Sequence, residues 1–171
     1  IGGDFLGSGK TRIAFQVSPQ GLRPAFVVKL AHNIHGSRRS GQEHNETEVA
    51  LWRWAVANKD ERRSAKELTE LLVQPRLYAN DFSWVVYDLA QPVPAGRYLP
   101  TPRPDDVDIS RRLTQVGVTD VHRRNMGLVE GELRLLDYAQ MKQGIGDRIQ
   151  PERAALRAEI RRLGAKTYGQ V

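Results

Sequence analysis

The chain contains no cysteine, which excludes disulfide staples, thiol nucleophiles, cysteine redox chemistry and sulfur-ligated zinc. It also lacks any run of roughly 18 consecutive apolar residues, the length a membrane-spanning helix needs. Its first residues carry no charged-then-apolar export signal, so the expectation is a cytoplasmic protein with no membrane association. Acidic residues are the minority charge, with 20 Asp and Glu against 26 Lys and Arg and a net charge of +6. That balance favours anionic partners such as nucleotide, nucleic acid or an acidic protein surface. What is present is the composition of a folded protein, 40% hydrophobic and 27% charged with three Trp and five Tyr, and not that of a disordered tail. A length of 171 residues allows one compact domain or two small lobes sharing a cleft. The sequence has no internal repeat.

Patterning predicts an α+β chain. Residues 12–17 and 25–31 read as strands, rich in β-branched and aromatic side chains, and Lys29 is the one charge inside the second of them. Residues 33–42 read as a loop, and 43–58 as an amphipathic helix with Val49, Trp52, Ala55 and Val56 at helical spacing. A second helix is predicted over 60–72, then strands over 73–79 and 83–89 turning at Asn80-Asp81. Residues 91–108 hold five of the nine prolines, Pro92, Pro94, Pro100, Pro102 and Pro104, and read as an irregular connector. It divides a single domain, 1–171, into lobes 1–90 and 91–171. Past it come a short helix over 107–116, a polar loop over 118–125 and a hairpin over 127–138 turning at Glu130-Gly131. A last helix is expected over 151–163, with Pro151 in its first turn and Gly164 as its stop.

Gly7-Ser8-Gly9-Lys10-Thr11 contains the Gly-Lys-Thr end of a Walker A loop, and Leu133 to Asp137 imitates its apolar-then-Asp partner. The pattern fails because Asp4 stands where the opening glycine belongs and because a strand, not a helix, is expected after Thr11. The remaining reading is a glycine-rich hairpin, Gly7, Ser8 and Gly9, whose backbone approaches nucleotide phosphates closely. Lys29 follows Gly7 by 22 residues, and Glu48 follows Lys29 by 19, on the next helix beside its apolar stripe. Glu46 is the rival carboxylate. Two residues away is about 200° around a helix, so Glu46 is expected to face solvent if Glu48 faces a cleft. Further on, Asp120 and Asn125 lie five apart and a hairpin leads to Asp137. A carboxylate to accept the proton of an attacking hydroxyl, then an amide oxygen and a second carboxylate for metal ions, is the ordered set that phosphoryl transfer uses.

These residues, Gly7-x-Gly9, Val28-Lys29, Glu48, Asp120-x-His122-x-x-Asn125 and Asp137-Tyr138-Ala139, resemble the protein-kinase-like superfamily over about residues 4 to 140. With His122 in its catalytic loop, the chain is more similar to the aminoglycoside and choline phosphotransferase branch. The resemblance implies a two-lobed fold, with an antiparallel sheet and one Glu48-bearing helix in the first lobe and a truncated, mainly helical second lobe. It implies ATP and Mg2+ as cofactors. Lys29, held by Glu48, would bind the α- and β-phosphates, Asn125 and Asp137 magnesium, and Asp120 the acceptor hydroxyl. Tyr87, Asp88, Leu89 and Ala90, placed between a strand and the connector, would form the hinge whose backbone groups read adenine.

Departures are Arg12 for the third loop glycine, Val118 for the histidine two before the catalytic Asp, and Tyr138-Ala139 for Phe-Gly. Only residues 140–171 follow, so the expectation is either a minimal kinase such as bacterial effectors and phage proteins carry, working in a host cytoplasm in that case, or a kinase-like chain given without its end. Its acceptor is a hydroxyl on a protein or a small molecule. The alternative is an inactive, pseudokinase-type module that binds an acidic protein partner through Arg153, Arg157 and Arg161, spaced four apart. Nucleic-acid binding ranks last. His32, His35 and His44 read as solvated loop residues, and Trp52, Trp54 and Trp84 as packing residues.

Overall fold

The structure, a computed structural model, describes residues 2–18, 26–32, 38–92, 104–163 and 168–170. In chain order the elements are β1 (Gly2–Ser8), β2 (Arg12–Ser18), β3 (Phe26–Ala31), α1 (Arg38–Asn58), α2 (Arg63–Leu71), β4 (Pro75–Ala79), β5 (Trp84–Asp88), β6 (Gln91–Pro92), α3 (Pro104–Val116), β7 (Met126–Val129), β8 (Glu132–Leu135), α4 (Gln143–Leu163) and β9 (Tyr168–Gln170). The class is α+β. One antiparallel sheet runs β1-β2-β3-β5-β4-β9, and a small second sheet runs β6-β7-β8.

Strand alternation puts Val27 and Lys29 of β3 on one face, with Val85 and Tyr87 of the neighbouring β5. Helix α1 covers that face with Val49, Trp52 and Ala55, all buried. Its other side is covered by α4, through Ile145, Ile149 and Leu156. A helix packed on two sides buries more than one stripe. Glu46, expected in solvent, is therefore 3% exposed. Trp52 and Trp54 are core residues as expected, while Trp84 is half-buried.

Several boundaries differ from the sequence reading. Helix α1 begins inside the predicted loop, where Gly41 lets its first turns lie against β3 and the Thr11 backbone. A Cβ there would meet the Ala31 side chain at 2.8 Å and press on the Thr11 carbonyl. Gly41→Ala is expected to destabilise the fold by about 1–3 kcal/mol through overpacking, overriding alanine's helix preference of about 1 kcal/mol. A denaturant melt of the variant measures the sign.

Helix α4 starts eight residues before the predicted 151, and Pro151 lies within it. An interior proline costs about 3 kcal/mol, which burial of Ile145 and Ile149 at roughly 1.5–3 kcal/mol each offsets. Gly144 and Gly146 disguised that first segment. The connector is trimmed at both ends, by β6 and by α3, whose first residue is Pro104, where the missing N–H costs nothing. The rest of it, residues 93–103, lies outside the described residues. Strand β9 was not expected, whereas the glycine hairpin, formed by β1 and β2, and the turns at Asn80-Asp81 and Glu130-Gly131 were; Glu130 and Gly131 have φ of 53° and 86°. Among the described residues no helix is long and apolar enough to cross a membrane.

Candidate functional site

The buried centre of the molecule is ionic. Lys29 Nζ donates to Glu48 at 3.1 Å and 2.9 Å, joining β3 to α1. It also donates to the Leu136 carbonyl, just past β8. Glu48 is fully buried and takes three more donors: the Tyr87 hydroxyl, the Tyr138 backbone N–H at 3.0 Å, and Arg12 at 3.0 Å. The Tyr87 ring lies under Lys29, 4.8 Å from Nζ to its centroid. Burial first, and then the neighbouring Arg12 charge, hold the Lys29 ammonium below its ordinary pKa against the pull of Glu48. Burial and the Glu48 charge raise the Tyr87 hydroxyl well above its ordinary value, so it remains a donor.

Arg12 is the residue the sequence reading passed over. It appeared only as a missing glycine, yet it is 7% exposed and its guanidinium pairs with Glu48 and with Asp137, and also donates to Asn45 at 3.3 Å. Two cations and two carboxylates thus form one neutral cluster, the arrangement in which charges tolerate a dry site. Burial works against the Arg12 charge, but Glu48 and Asp137 outweigh it and raise the guanidinium pKa further. Partial burial pushes the Asp137 carboxyl up, and Lys29 and Arg12 more than reverse this, holding it below the usual carboxylate range. The side chain of Asp137 is 43% exposed, so the cluster opens to solvent at that carboxylate. The signal that would have found Arg12 is its place, the one long cation opening a strand directly after a glycine turn.

The turn itself closes through Gly9 N–H to the Arg12 carbonyl at 2.8 Å. The residues after Thr11 form strand β2, as the rejection of a Walker loop required. A Cβ on Gly7 would meet nothing within 4 Å, and one on Gly9 only the Arg12 carbonyl at 3.8 Å. The space beside these two backbones is open, the condition for another group to approach them.

On the other side of Asp137, the Leu136 N–H donates to the Asn125 carbonyl at 2.7 Å, which sets Asn125 next to Asp137 across the base of the β7–β8 hairpin. The Asn125 amide nitrogen donates to the Asp120 carbonyl oxygen at 3.1 Å and approaches its carboxylate at 3.5 Å. That leaves the Asn125 amide oxygen as the atom available to a cation. Asp120 is exposed and has φ of 57°. A left-handed aspartate is uncommon, and such strain is held where the surroundings fix it. Here His122 Nε2 lies 3.5 Å from one Asp120 oxygen and Gln140 Nε2 3.5 Å from the other. The bond from Thr119 N–H to the Gln140 carbonyl, at 2.9 Å, pins the loop.

The structure therefore brings Lys29, Glu48 and Asp137 into one cluster, with Asn125 and Asp120 following through backbone bonds. The three residues Tyr87, Asp88 and Leu89, expected at a hinge, divide differently. Tyr87 enters the cluster by its side chain, and Asp88 is bound by Arg76 at 2.7 Å and 2.9 Å while its N–H is committed to the Gln74 carbonyl at 3.1 Å. Leu89 lies past the end of β5. Ser8 is exposed at the glycine turn.

Asp137 and the Asn125 amide supply hard oxygen donors from two residues only. Among the described residues no group of three or more His, Asp or Glu gathers as a metal cage. Two protein oxygens, with the remainder from water and phosphate, is a donor set that fits Mg2+. Of the histidines, His44 lies on α1, not in a loop, 3.2 Å from the Thr11 hydroxyl, and His32 Nε2 lies 3.1 Å from the Gly9 carbonyl oxygen. His35 lies outside the described residues. Compared with known proteins, the chain matches no family model and no curated sequence.

Proposed function

We propose that the chain is an ATP- and Mg2+-dependent phosphotransferase of the protein-kinase-like type that moves the γ-phosphoryl group to a hydroxyl. The observation that carries this reading is the convergence of Lys29, Glu48 and Asp137, from three distant segments, on one buried ionic cluster beneath a glycine turn. Strand order β1-β2-β3-β5-β4, with α1 and α2 between β3 and β4, supports a sheet lobe of the kinase-like type, and β9 from the end of the chain adds a strand at its β4 edge. The basic-surface alternative is less supported, since two of its three cations, Arg153 and Arg157, are paired with Glu46.

In this reading Lys29 binds phosphate oxygens and Glu48 keeps it in place, while Gly7, Ser8 and Gly9 lie over the phosphates. Asn125 and Asp137 would hold magnesium, which supplies charge neutralisation on the phosphates. Adenine-edge contacts fall to backbone beyond Asp88, at Leu89 and Ala90. The acceptor oxygen forms a bond to the γ-phosphorus as the bond from that phosphorus to the β–γ bridging oxygen breaks. ADP leaves with the electron pair, and the hydroxyl proton passes to Asp120.

Calorimetry with a non-hydrolysable ATP analogue, with and without MgCl2, tests the binding half of the proposal. Native protein is expected to bind more tightly with magnesium, and Asp137→Ala to lose that dependence. Lys29→Met is expected to bind at least about tenfold more weakly, as hydrogen bonds to charged groups contribute about 1.5–3 kcal/mol. Arg12→Gln frees the Asp137 carboxylate and is expected to strengthen the magnesium dependence several-fold. No binding by native protein, or full magnesium dependence in Asp137→Ala, contradicts the reading.

A further inference from the structure

A cavity of about 390 Å3, wide open to solvent, lies between α1, the Asp120 loop, the segment after Asp137 and α4. Thr47, Thr119, Gln140, Met141, Gln150 and Arg153 are among its lining residues, and its volume is within the range of small-ligand sites, about 300–1,000 Å3. Gln140 is the link to the proposed chemistry, because the same side chain reaches the Asp120 carboxylate.

At the cavity wall two guanidiniums converge on one buried carboxylate. Glu46 is buried between α1 and α4, and Arg157 engages both its oxygens, Nε on one and Nη2 at 2.7 Å on the other. That pairing alone neutralises Glu46. Arg153 adds a second guanidinium through Nη2 at 2.8 Å, with its side chain only 19% exposed. One carboxylate thus faces two cations. Moreover, the Arg153 Nε–H is buried with no acceptor among the described residues. A buried donor of a charged group left without an acceptor is costly, at about 1–3 kcal/mol or more. An anionic group in the cavity would give the Arg153 guanidinium a charge-assisted partner beside Glu46.

We propose that this cavity takes the phosphoryl acceptor as a small hydroxylated molecule bearing a carboxylate or phosphate, its anionic group on Arg153 and its hydroxyl towards Asp120. This rests on Asp120 being the group that receives the acceptor's proton. Thr47, Thr119, Gln140 and Gln150 supply neutral hydrogen-bonding groups for the rest of the ligand. A cationic acceptor such as choline or an aminoglycoside is disfavoured by Arg153.

The test is a titration of the full chain, followed by NMR at the Arg153 side-chain Nε–H, with glycerol 3-phosphate, glycerate, glycerol and choline at matched ionic strength. The expected result is a saturable shift with glycerol 3-phosphate or glycerate and none with glycerol or choline; which anion acts identifies the group. Gln150→Glu, which adds a like charge at an exposed wall position, is expected to weaken that binding at least tenfold without lowering the melting temperature. Arg153→Gln is expected to abolish the ligand-induced rise in melting temperature. No saturable shift with either anion, an equal shift with glycerol, or unchanged binding in Gln150→Glu overturns the proposal. The readout does not involve ATP, so failure of nucleotide binding at Lys29 is recognised separately: it removes the acceptor role and leaves the anion site.

Discussion

Glu48→Ala is expected to be the most destabilising single substitution in the cluster, by about 3–5 kcal/mol, the cost of leaving buried charge unpaired. The reason is its position at the centre of five bonds. Lys29 and Arg12 both lose their common carboxylate, and the Tyr87 hydroxyl and Tyr138 N–H lose their acceptor. For a chain of this size each kcal/mol lowers the melting temperature by roughly 2–4 °C, so a fall of about 10 °C is predicted by calorimetry. Glu48→Gln keeps the shape and two acceptor lone pairs but removes the charge, and is expected to fall between the two. A Glu48→Ala protein that melts with the native chain would show that the cluster is already hydrated and contributes little.

Asp120→Ala is expected to separate chemistry from binding. Asp120 is exposed, and its carboxylate lies 3.5 Å from His122, Asn125 and Gln140 and not in the Lys29–Glu48 cluster, so its removal leaves the buried cluster untouched. Nucleotide affinity should stay within about twofold, while transfer falls by roughly 10²–10⁴, the range a positioned proton acceptor contributes. Rates and affinities measured on the same preparation decide it. Equal losses in both would place Asp120 in nucleotide binding, and no loss in transfer would remove it from the mechanism.

The local patterns were legible where sequence neighbours do the work. Lys29 as a lone charge in an apolar strand, Glu48 beside the helical stripe, and the tight turn at Glu130-Gly131 are all short-range signals, and each residue lies in or next to the expected element. What failed depends on partners far along the chain. Glu46 is buried because α4 covers it, and its partners Arg153 and Arg157 are more than a hundred residues away. A stripe of arginines at helical spacing looks the same whether it meets water or a buried carboxylate. The first turns of α4 were hidden by two glycines and a proline, local penalties that Ile145 and Ile149 overcome only after docking on α1. Arg12 was visible as a residue but not as a member of the site, because its partners Glu48 and Asp137 reach it only in the folded chain.

The most direct test of the phosphotransferase account is incubation of the purified chain with γ-labelled ATP and Mg2+, alone and with a cell lysate, beside Asp120→Ala and Asp137→Ala. The account predicts label transferred to a hydroxyl-bearing acceptor by the native chain and by neither variant. Transfer that persists in both variants, or native protein that binds nucleotide and transfers nothing, would contradict it.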